Sequence, residues 1–277
     1  MNDLCYKYEK INNFNNSIFP SIDCCYVIIM ENSKYEKQVR NQLKSYCLSR
    51  KILLQWNKGY KNCRKYLPEQ ISIYDLTDSL HTILHNAIFN NYQRIMILEE
   101  DFIINKKLND KNIQNEINNF LLEVNPNILT LGSILWNCGE SRGNFAAVNI
   151  KTGTHALVLN KYAIEKLYYD IEKNSEIDID DLTNSVVNKF AYRIPIIIQI
   201  FSASDNQNNW GKGIFKNDFL RKIFVYVFIT LLKILGFTKE ESIRDAYELN
   251  YKIHFNQEYK NWKNLFNYLS NVFYKTT

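Results

Sequence analysis

The alternation of strand-like and helix-like segments between residues 24 and 200 is the feature that most constrains the fold. Short apolar runs, rich in Ile, Leu and Val, alternate with segments whose apolar residues recur every three or four positions. The first apolar run is 25–30, and the helix-like segment 34–46 follows it. Strands joined by helices form parallel pairs, and the helices cover both faces of the resulting sheet. The sequence therefore predicts an α/β protein built on a mostly parallel sheet.

The same reading gives approximate positions for the elements. The predicted strands are 25–30, 51–56, 94–98, 128–131, 154–159 and 194–200. The predicted helices are 34–46, a helix capped by Thr77 or Asp78, 111–123 and 163–171. The C-terminal part of the chain predicts helices only. We therefore expect an α/β domain over 1–215 and a helical extension, 216–277, packed on it.

Composition excludes several classes of protein. A hydrophobic content of 46% with 23% charged residues excludes wholesale disorder. The net charge of +5, without a basic stripe, argues against a nucleic-acid partner. The six cysteines show no CxxC pair or zinc-like spacing, and adjacent Cys24 and Cys25 suit an ordinary disulfide poorly. We expect reduced thiols and, since no apolar signal sequence is seen, a cytoplasmic location.

One C-terminal segment, 219–237, is strongly apolar and carries basic residues near its start. Its uninterrupted apolar core is too short to span a bilayer. The segment can complete the core, form a homodimer contact, or lie as a helix on a membrane surface. The motifs GxGxxG, GxxxxGK[ST] and GxSxG are all absent from the sequence. A Rossmann dinucleotide site, a P-loop and a hydrolase nucleophile elbow are therefore disfavoured.

An acidic triplet, Glu99-Glu100-Asp101, directly follows the apolar strand 94–98. In open α/β sheets, ligands bind at the carboxyl ends of strands. Three successive carboxylates repel one another unless a cation lies among them, and carboxylate oxygens suit Mg²⁺ or Mn²⁺. The spacing alone allows a second interpretation, in which the triplet is a solvated acidic turn.

The strand running into Leu98-Glu99-Glu100-Asp101 resembles the acidic metal-binding motif of glycosyltransferase family 25, which includes bacterial lipooligosaccharide galactosyltransferases and collagen galactosyltransferases. Further segments resemble the family in the same order over roughly 23–212: 153–159 with Ala163, 177–181, Tyr192, Pro195, Gln199 and 202–210. The form Asp205-Asn206-Gln207 with Trp210 is similar to glycosyltransferase-like proteins of giant viruses. For a viral protein, the location would be the host cytoplasm or a virus factory.

This resemblance implies a GT-A fold, in which residues 1–215 form a catalytic domain that binds a nucleotide sugar. It implies a Mn²⁺ or Mg²⁺ cofactor and a UDP-sugar donor. The expected reaction transfers a hexose, with galactose as first candidate, to a glycan or protein hydroxyl with inversion. The expected partners are therefore the donor and the acceptor.

The resemblance also implies roles for individual residues. Glu99 and Asp101 would hold the metal, and His155 would be a further metal ligand or would bond to sugar hydroxyls. Without the resemblance, a lone histidine before an apolar strand favours a partly buried imidazole with a structural hydrogen bond. Because alternate residues of an extended chain face opposite sides, we expect Glu100 to face away and to contact a sugar or ribose hydroxyl. The polar groups expected to contact the donor beyond these are Gln199, Ser204 and Asn206.

An inverting transfer needs a general base opposite the leaving group. The candidates are Asp178, Asp180 and Asp181, with Asp180 first and Asp181 next. We also expect one of the three to cap the helix that begins there. Two other functions use the same residues: a nucleotidyltransferase or phosphodiesterase with the same carboxylate–metal site, and a catalytically inactive GT-A-like scaffold protein.

Overall fold

The computed structural model describes residues 3–11, 16–153, 155–199 and 240–255 of the chain. It contains a nine-stranded mixed sheet and a separate two-stranded sheet. The strands are β1 Tyr6–Ile11, β2 Cys24–Met30, β3 Ile52–Asn57, β4 Arg94–Glu99, β5 Phe102–Ile104, β6 Ile128–Thr130, β7 Ile134–Arg142, β8 Phe145–Thr152, β9 Ala156–Asn160, β10 Lys189–Tyr192 and β11 Ile197–Gln199. The α-helices are α1 Glu36–Ser45, α2 Ser72–Phe89, α3 Lys111–Glu123, α4 Lys161–Lys173, α5 Ile179–Asn184 and α6 Glu240–Phe255.

The large sheet has the strand order β1-β3-β2-β4-β9-β6-β10-β8-β7. β2 pairs in parallel with β3 and β4, and β6 pairs in parallel with β10. β9 is inserted antiparallel between β4 and β6, and β1, β8 and β7 form antiparallel pairs at the two edges. Six strands (β2, β3, β4, β6, β7 and β10) consequently run in one direction. The predicted fold class, an α/β protein with a mostly parallel sheet, is confirmed.

Helices cover both faces of this sheet, and β2 shows why. Its alternate residues Cys25, Val27 and Ile29 pack into one buried cluster with apolar residues of α1 and α3. The residues between them, including Tyr26 and Ile28, pack into a second cluster with α2, α4 and α5. A strand that is apolar at every position is typical of a sheet covered on both sides.

Helix α6 packs on the β7–β8 hairpin, where Ile243, Tyr247 and Tyr251 share a third buried cluster with Leu135. The Asn250 side chain bonds to both backbone groups of Leu135, accepting from its N–H at 2.9 Å and donating to its carbonyl at 3.0 Å. In the described part of the chain, no helix combines the length and apolar content that a membrane crossing requires. The predicted membrane contact through 219–237 lies outside the described residues.

Two predicted boundaries are wrong. Thr77 and Asp78 lie inside α2, which begins earlier, at Ser72. The residues before Thr77 are helical instead of loop because Asp75, in the first turn of α2, forms an ion pair with Lys65. The predicted strand 194–200 is reduced to β11, at 197–199, which pairs with β5 in the small sheet. The other predicted strands correspond to β2, β3, β4, β6 and β9, and the predicted helices correspond to α1, α2, α3 and α4.

The prediction that all cysteines are reduced is also wrong, because Cys5 and Cys63 form a disulfide. Edge strand β1 pairs antiparallel with β3, so the turn before β1 lies beside the loop after β3. The disulfide joins positions 58 residues apart, so no local spacing pattern in the sequence predicts it. The thiol-based argument for a cytoplasmic location therefore does not hold for this pair. Cys24, Cys25, Cys47 and Cys138 are free.

Candidate functional site

A cavity of about 380 Å³ lies at the carboxyl ends of the parallel strands β2, β3 and β4. The last residue of each strand, Met30, Asn57 and Glu99, lines it. This is the edge at which open α/β sheets bind ligands, since parallel strands end together there and leave a crevice. The cavity is therefore our candidate site, and we refer to it as the strand-end cavity.

Asp101 is a deeply placed carboxylate of the strand-end cavity, with 9% of its surface exposed. Its Oδ2 accepts a hydrogen bond at 3.0 Å from Nε2 of Gln199, at the end of β11. Its Oδ1 is buried and finds no hydrogen-bond partner among the described residues. Burial, helped by the nearby Glu100 charge, raises the pKa of Asp101 to about 7. A carboxylate buried in this way is costly in its charged form, and a bound cation would lower that cost.

Glu99 and Glu100 line the same cavity as Asp101. Glu100 accepts a hydrogen bond at 2.8 Å from the backbone N–H of Met30, and so joins the end of β4 to the end of β2. The prediction that Glu100 faces away from the other two carboxylates is therefore wrong. β4 ends at Glu99 and the chain turns at Glu100 and Asp101, so the alternation of an extended strand no longer applies.

The residues fit a divalent cation that is shared with a ligand. Among the described residues, no group of three or more His, Cys, Asp or Glu is arranged to hold a metal ion. Mg²⁺, however, is commonly bound by one or two carboxylates, with substrate phosphates and water completing its shell. Asp101, with its orphaned oxygen, and the neighbouring Glu99 meet that description.

The structure places His155 beside Glu99 but outside the strand-end cavity. The His155 carbonyl accepts a hydrogen bond from the Glu99 N–H at 3.3 Å. The imidazole is fully buried and faces the other way, where Nε2 donates to the Gly132 carbonyl at 2.7 Å. Burial lowers the pKa of His155 to about 4, so the ring is neutral. A neutral imidazole is the form that binds metals, but His155 is not among the residues that line the strand-end cavity, so its role as a ligand stays a prediction.

The three aspartates at the start of α5 lie near the cavity without lining it. Asp178 caps the helix by accepting from the Asp180 N–H at 2.7 Å, which confirms that one of the three is a cap. Asp180 accepts from the Gly153 N–H at 3.1 Å, and burial raises its pKa to about 6. Asp181 is exposed.

A buried lysine connects the Asp180 side to the strand-end cavity. Lys151 is fully buried and donates from Nζ to the Thr183 hydroxyl at 3.1 Å. Burial lowers its pKa to about 8, and the opposing charges of Asp180 and Glu99 both favour its protonated form. One ammonium group therefore interacts with a carboxylate of the cavity and with the first candidate base.

The strand-end cavity also has a basic wall of three lysines, which the sequence analysis did not predict. Lys34 follows β2, and Lys58 and Lys61 follow β3. The charge of Lys34 lowers the pKa of Asp101, which shows that the basic and acidic walls interact. The loops after β2 and β3 were the available signal, because both follow strands that end at the ligand-binding edge. A cavity with both signs of charge suits an anion bound together with a cation.

The loop after β3 is held by a buried polar network. Asn57 accepts from the Gly59 N–H at 2.7 Å and donates to Asp75 at 3.3 Å. Lys65, buried beneath the loop, forms an ion pair with Asp75 and donates to the Tyr6 hydroxyl at 2.6 Å. Breaking a buried ion pair leaves an uncompensated charge, so this network fixes the cavity wall firmly.

Of the remaining predicted contacts, Gln199 lies in the strand-end cavity. Ser204, Asn206 and the rest of 202–210 lie outside the described residues. The loop after β2, at Glu31, Asn32 and Ser33, also lines the cavity.

No protein-family model matches the chain, and no curated protein matches it. Among solved structures, it is similar to a glycosyltransferase involved in the glycosylation of the major capsid of PBCV-1, at 12% identity and a TM-score of 0.40 over 66% of this chain and 96% of that chain. It is also similar to A197 from STIV, at 11% identity and a TM-score of 0.39 over 61% and 81% of the two chains. It is also similar to a UDP-glucose pyrophosphorylase complexed with UDP-glucose, at 8% identity and a TM-score of 0.34 over 61% of this chain and 72% of that chain. Likenesses this distant leave the assignment of function to the site itself.

Proposed function

We propose that the protein is a metal-dependent glycosyltransferase that moves a hexose, with galactose as first candidate, from a UDP-sugar to a glycan or protein hydroxyl with inversion. The proposal rests chiefly on Asp101, which lies at the carboxyl ends of three parallel strands. Its buried Oδ1 has no hydrogen-bond partner among the described residues. A cation bound there would remove the cost of burying that charge.

The two walls of the strand-end cavity support a diphosphate ligand. Asp101 and Glu99 would hold Mn²⁺ or Mg²⁺, and Lys34, Lys58 and Lys61 line the same cavity. When bound, the cation would offset the charge that develops on the diphosphate leaving group. Gln199 keeps Asp101 oriented through their 3.0 Å hydrogen bond. In this proposal, Glu100, Gln199, Ser204 and Asn206 contact the donor.

Asp180 is the first candidate for the general base, and Asp181 is the next. With a pKa raised to about 6, Asp180 is ionised at neutral pH and can accept a proton from the acceptor hydroxyl. Lys151, close by, favours the ionised form of Asp180. Asp178 is already used as the cap of α5.

The direct test compares the full chain with its Asp101→Asn variant. Both are incubated with a panel of UDP-sugars, Mn²⁺ and glycan acceptors, and released UDP and glycosylated product are measured. We expect the variant to lose roughly a hundredfold or more in rate, because a cation clamp supplies several kcal/mol of transition-state stabilisation. Its thermal stability should not fall, since the substitution removes a carboxylate whose charged form burial disfavours.

A matched control is Asp110→Asn, which makes the same chemical change at the cap of α3. Asparagine caps a helix as well as aspartate does, so this variant should keep wild-type activity. Wild-type transfer by Asp101→Asn would refute the proposal. Release of pyrophosphate instead of UDP would identify a nucleotidyltransferase, and absence of nucleotide binding by the wild type would favour an inactive scaffold.

A further inference from the structure

A second cavity, of about 300 Å³, lies on the opposite side of α2 from the strand-end cavity, and we call it the outer cavity. The α2 residues that line the outer cavity are Tyr74, Thr77, Asp78 and His81. Those that line the strand-end cavity are Ser72, Asp75, Leu76 and Ser79. Each set recurs at helical spacing, so the two cavities use different faces of the same two turns.

Aromatic rings form part of the outer cavity. Tyr66 lies at its edge with 89% of its surface exposed, and Tyr74 lies in the first turns of α2. Each ring offers a flat apolar face and a polar hydroxyl. A ring that exposed contributes little to the core, so its place in the cavity wall suits contact with a ligand that has both apolar and polar surfaces.

The carboxylates of the outer cavity already have partners. Asp78 accepts a hydrogen bond from the Tyr6 hydroxyl at 2.5 Å and lies 3.8 Å from Nζ of Lys65. Glu172 Oε1 lies 2.7 Å from Nε2 of His81. A cationic ligand would therefore have to share Asp78 with the ammonium group of Lys65, and an anionic ligand would be repelled by both carboxylates. Each carboxylate still has lone pairs that can accept from hydroxyl groups, because an ionised carboxylate offers about four acceptor positions.

Flat apolar faces combined with paired carboxylates are suited to a neutral ligand that carries many hydroxyl groups. From this combination we infer that the outer cavity binds a neutral saccharide. On the proposed function, that saccharide is the part of a glycan acceptor remote from the reacting hydroxyl. Lys65 contacts Asp75, which lines the strand-end cavity, and Asp78, which lines the outer cavity. Because the two cavities lie on opposite sides of α2, they are separated by about one helix diameter, roughly 10 Å.

The test uses the full chain, fluorescently labelled, on an array of immobilised neutral and charged oligosaccharides without nucleotide. We expect retention by neutral oligosaccharides, and a loss of about tenfold in affinity for Tyr66→Ala and for Tyr74→Ala, because each removes one stacking surface. The control is Tyr162→Ala on α4, where a tyrosine with 52% of its surface exposed lies outside both cavities. Because Tyr66 is so exposed, its removal should leave thermal unfolding unchanged.

The inference fails if the wild type is retained by no neutral oligosaccharide, or if both tyrosine variants bind as the wild type does. It also fails if spermine displaces the bound saccharide, since that would identify a cation site. Titration with UDP and Mn²⁺ keeps the two proposals distinct. Absence of UDP binding, with saccharide binding still dependent on Tyr66, would refute the proposed function and support the outer cavity as a saccharide site.

Discussion

Gly132 allows the backbone around it to pack closely against β11 and His155. A Cβ atom at this position would lie 1.5 Å from the carbonyl oxygen of Ile197, and 3.3 Å from Nε2 of His155. The Gly132 carbonyl also accepts the His155 hydrogen bond. β11 carries Gln199, and Gln199 orients Asp101. The absence of a side chain at one residue therefore allows the close approach that positions the central carboxylate.

The first prediction concerns this contact. Gly132→Ala should lower the free energy of unfolding by roughly 3 kcal/mol or more, since a backbone carbonyl cannot move away as a flexible side chain can. Urea denaturation followed by circular dichroism measures the change. Gly143→Ala is the control: no atom lies within 4 Å of its Cβ, and its φ of +59° costs only about 1–2 kcal/mol. Equal losses for the two variants would contradict the close packing described at Gly132.

The second prediction concerns His155, which is held neutral. Burial lowers its pKa to about 4 from an ordinary 6.5, so the unfolded chain binds a proton that the folded chain rejects between these values. Stability should therefore rise as the pH rises from 4 to 6.5, by roughly 3 kcal/mol from this residue. Urea denaturation across that range, on the wild type and on His155→Gln, measures it. The variant should lose this part of the slope, and an unchanged slope would refute the assignment.

At the scale of elements, the sequence predicted the longer buried parallel strands well, but it missed the four-residue strand β10 and the edges. β2 and β4 are apolar at nearly every position, which is the pattern of strands covered on both faces. β7 and β8 were missed because the hairpin lies at the sheet edge, and β7 has a mostly exposed, polar sequence. Glu100 was placed wrongly for a related reason: a strand's alternation gives no warning of where the strand ends. Periodicity reports burial, so elements at the periphery are weakly encoded.

The third prediction concerns the disulfide between Cys5 and Cys63, which ties the loop after β3 to the turn before β1. The free energy of unfolding of the double variant Cys5→Ser/Cys63→Ser should be lower by up to roughly 4 kcal/mol. The reason is that the unfolded chain is no longer restricted by a cross-link between positions 58 residues apart. Lys65 continues to bond to Tyr6, so we expect the loop to keep its folded position. Urea denaturation under non-reducing conditions measures the loss.

The control for the disulfide is Cys47→Ser, which replaces a free, partly exposed thiol. It should change stability by about 0.5 kcal/mol or less, the usual range for surface substitutions. Treating the wild type with a reducing agent should reproduce the loss seen in the double variant. If reduction and the double substitution both left stability unchanged, the two cysteines would not be paired in the folded protein.

At the scale of the whole molecule, the strand-end cavity is assembled from segments that are far apart in the chain. Lys34 follows β2, Lys58 follows β3, Asp101 follows β4 and Gln199 ends β11. The carboxylates could be predicted because they are consecutive and directly follow a strand. The lysines were harder to predict, because the loops that carry them come together only through the order of β3, β2 and β4 in the sheet. The sequence thus predicts the acidic half of the site, and the topology supplies the basic half.

This assembly gives the fourth prediction, which concerns the stability of the entire chain. A ligand that bridges the loops after β2 and β3 to Asp101 should stabilise the folded state as a unit. UDP and Mn²⁺ together, at about a hundred times the dissociation constant, should add about 2.7 kcal/mol. For a chain of this size, that corresponds to an increase of roughly 5 °C or more in the unfolding temperature.

Differential scanning calorimetry would measure this shift for each ligand alone and for both together. UDP and Mn²⁺ should act jointly, because in the proposed site Asp101 and Glu99 would supply only part of a cation's ligands and the diphosphate would supply more. Asp101→Asn should therefore lose most of the joint shift, while Asp110→Asn, at the cap of α3, should retain it. If UDP and Mn²⁺ together raised the unfolding temperature of Asp101→Asn as much as that of the wild type, the nucleotide would bind without a cation at Asp101. The affinity for UDP would then have to come from Lys34, Lys58 and Lys61 alone.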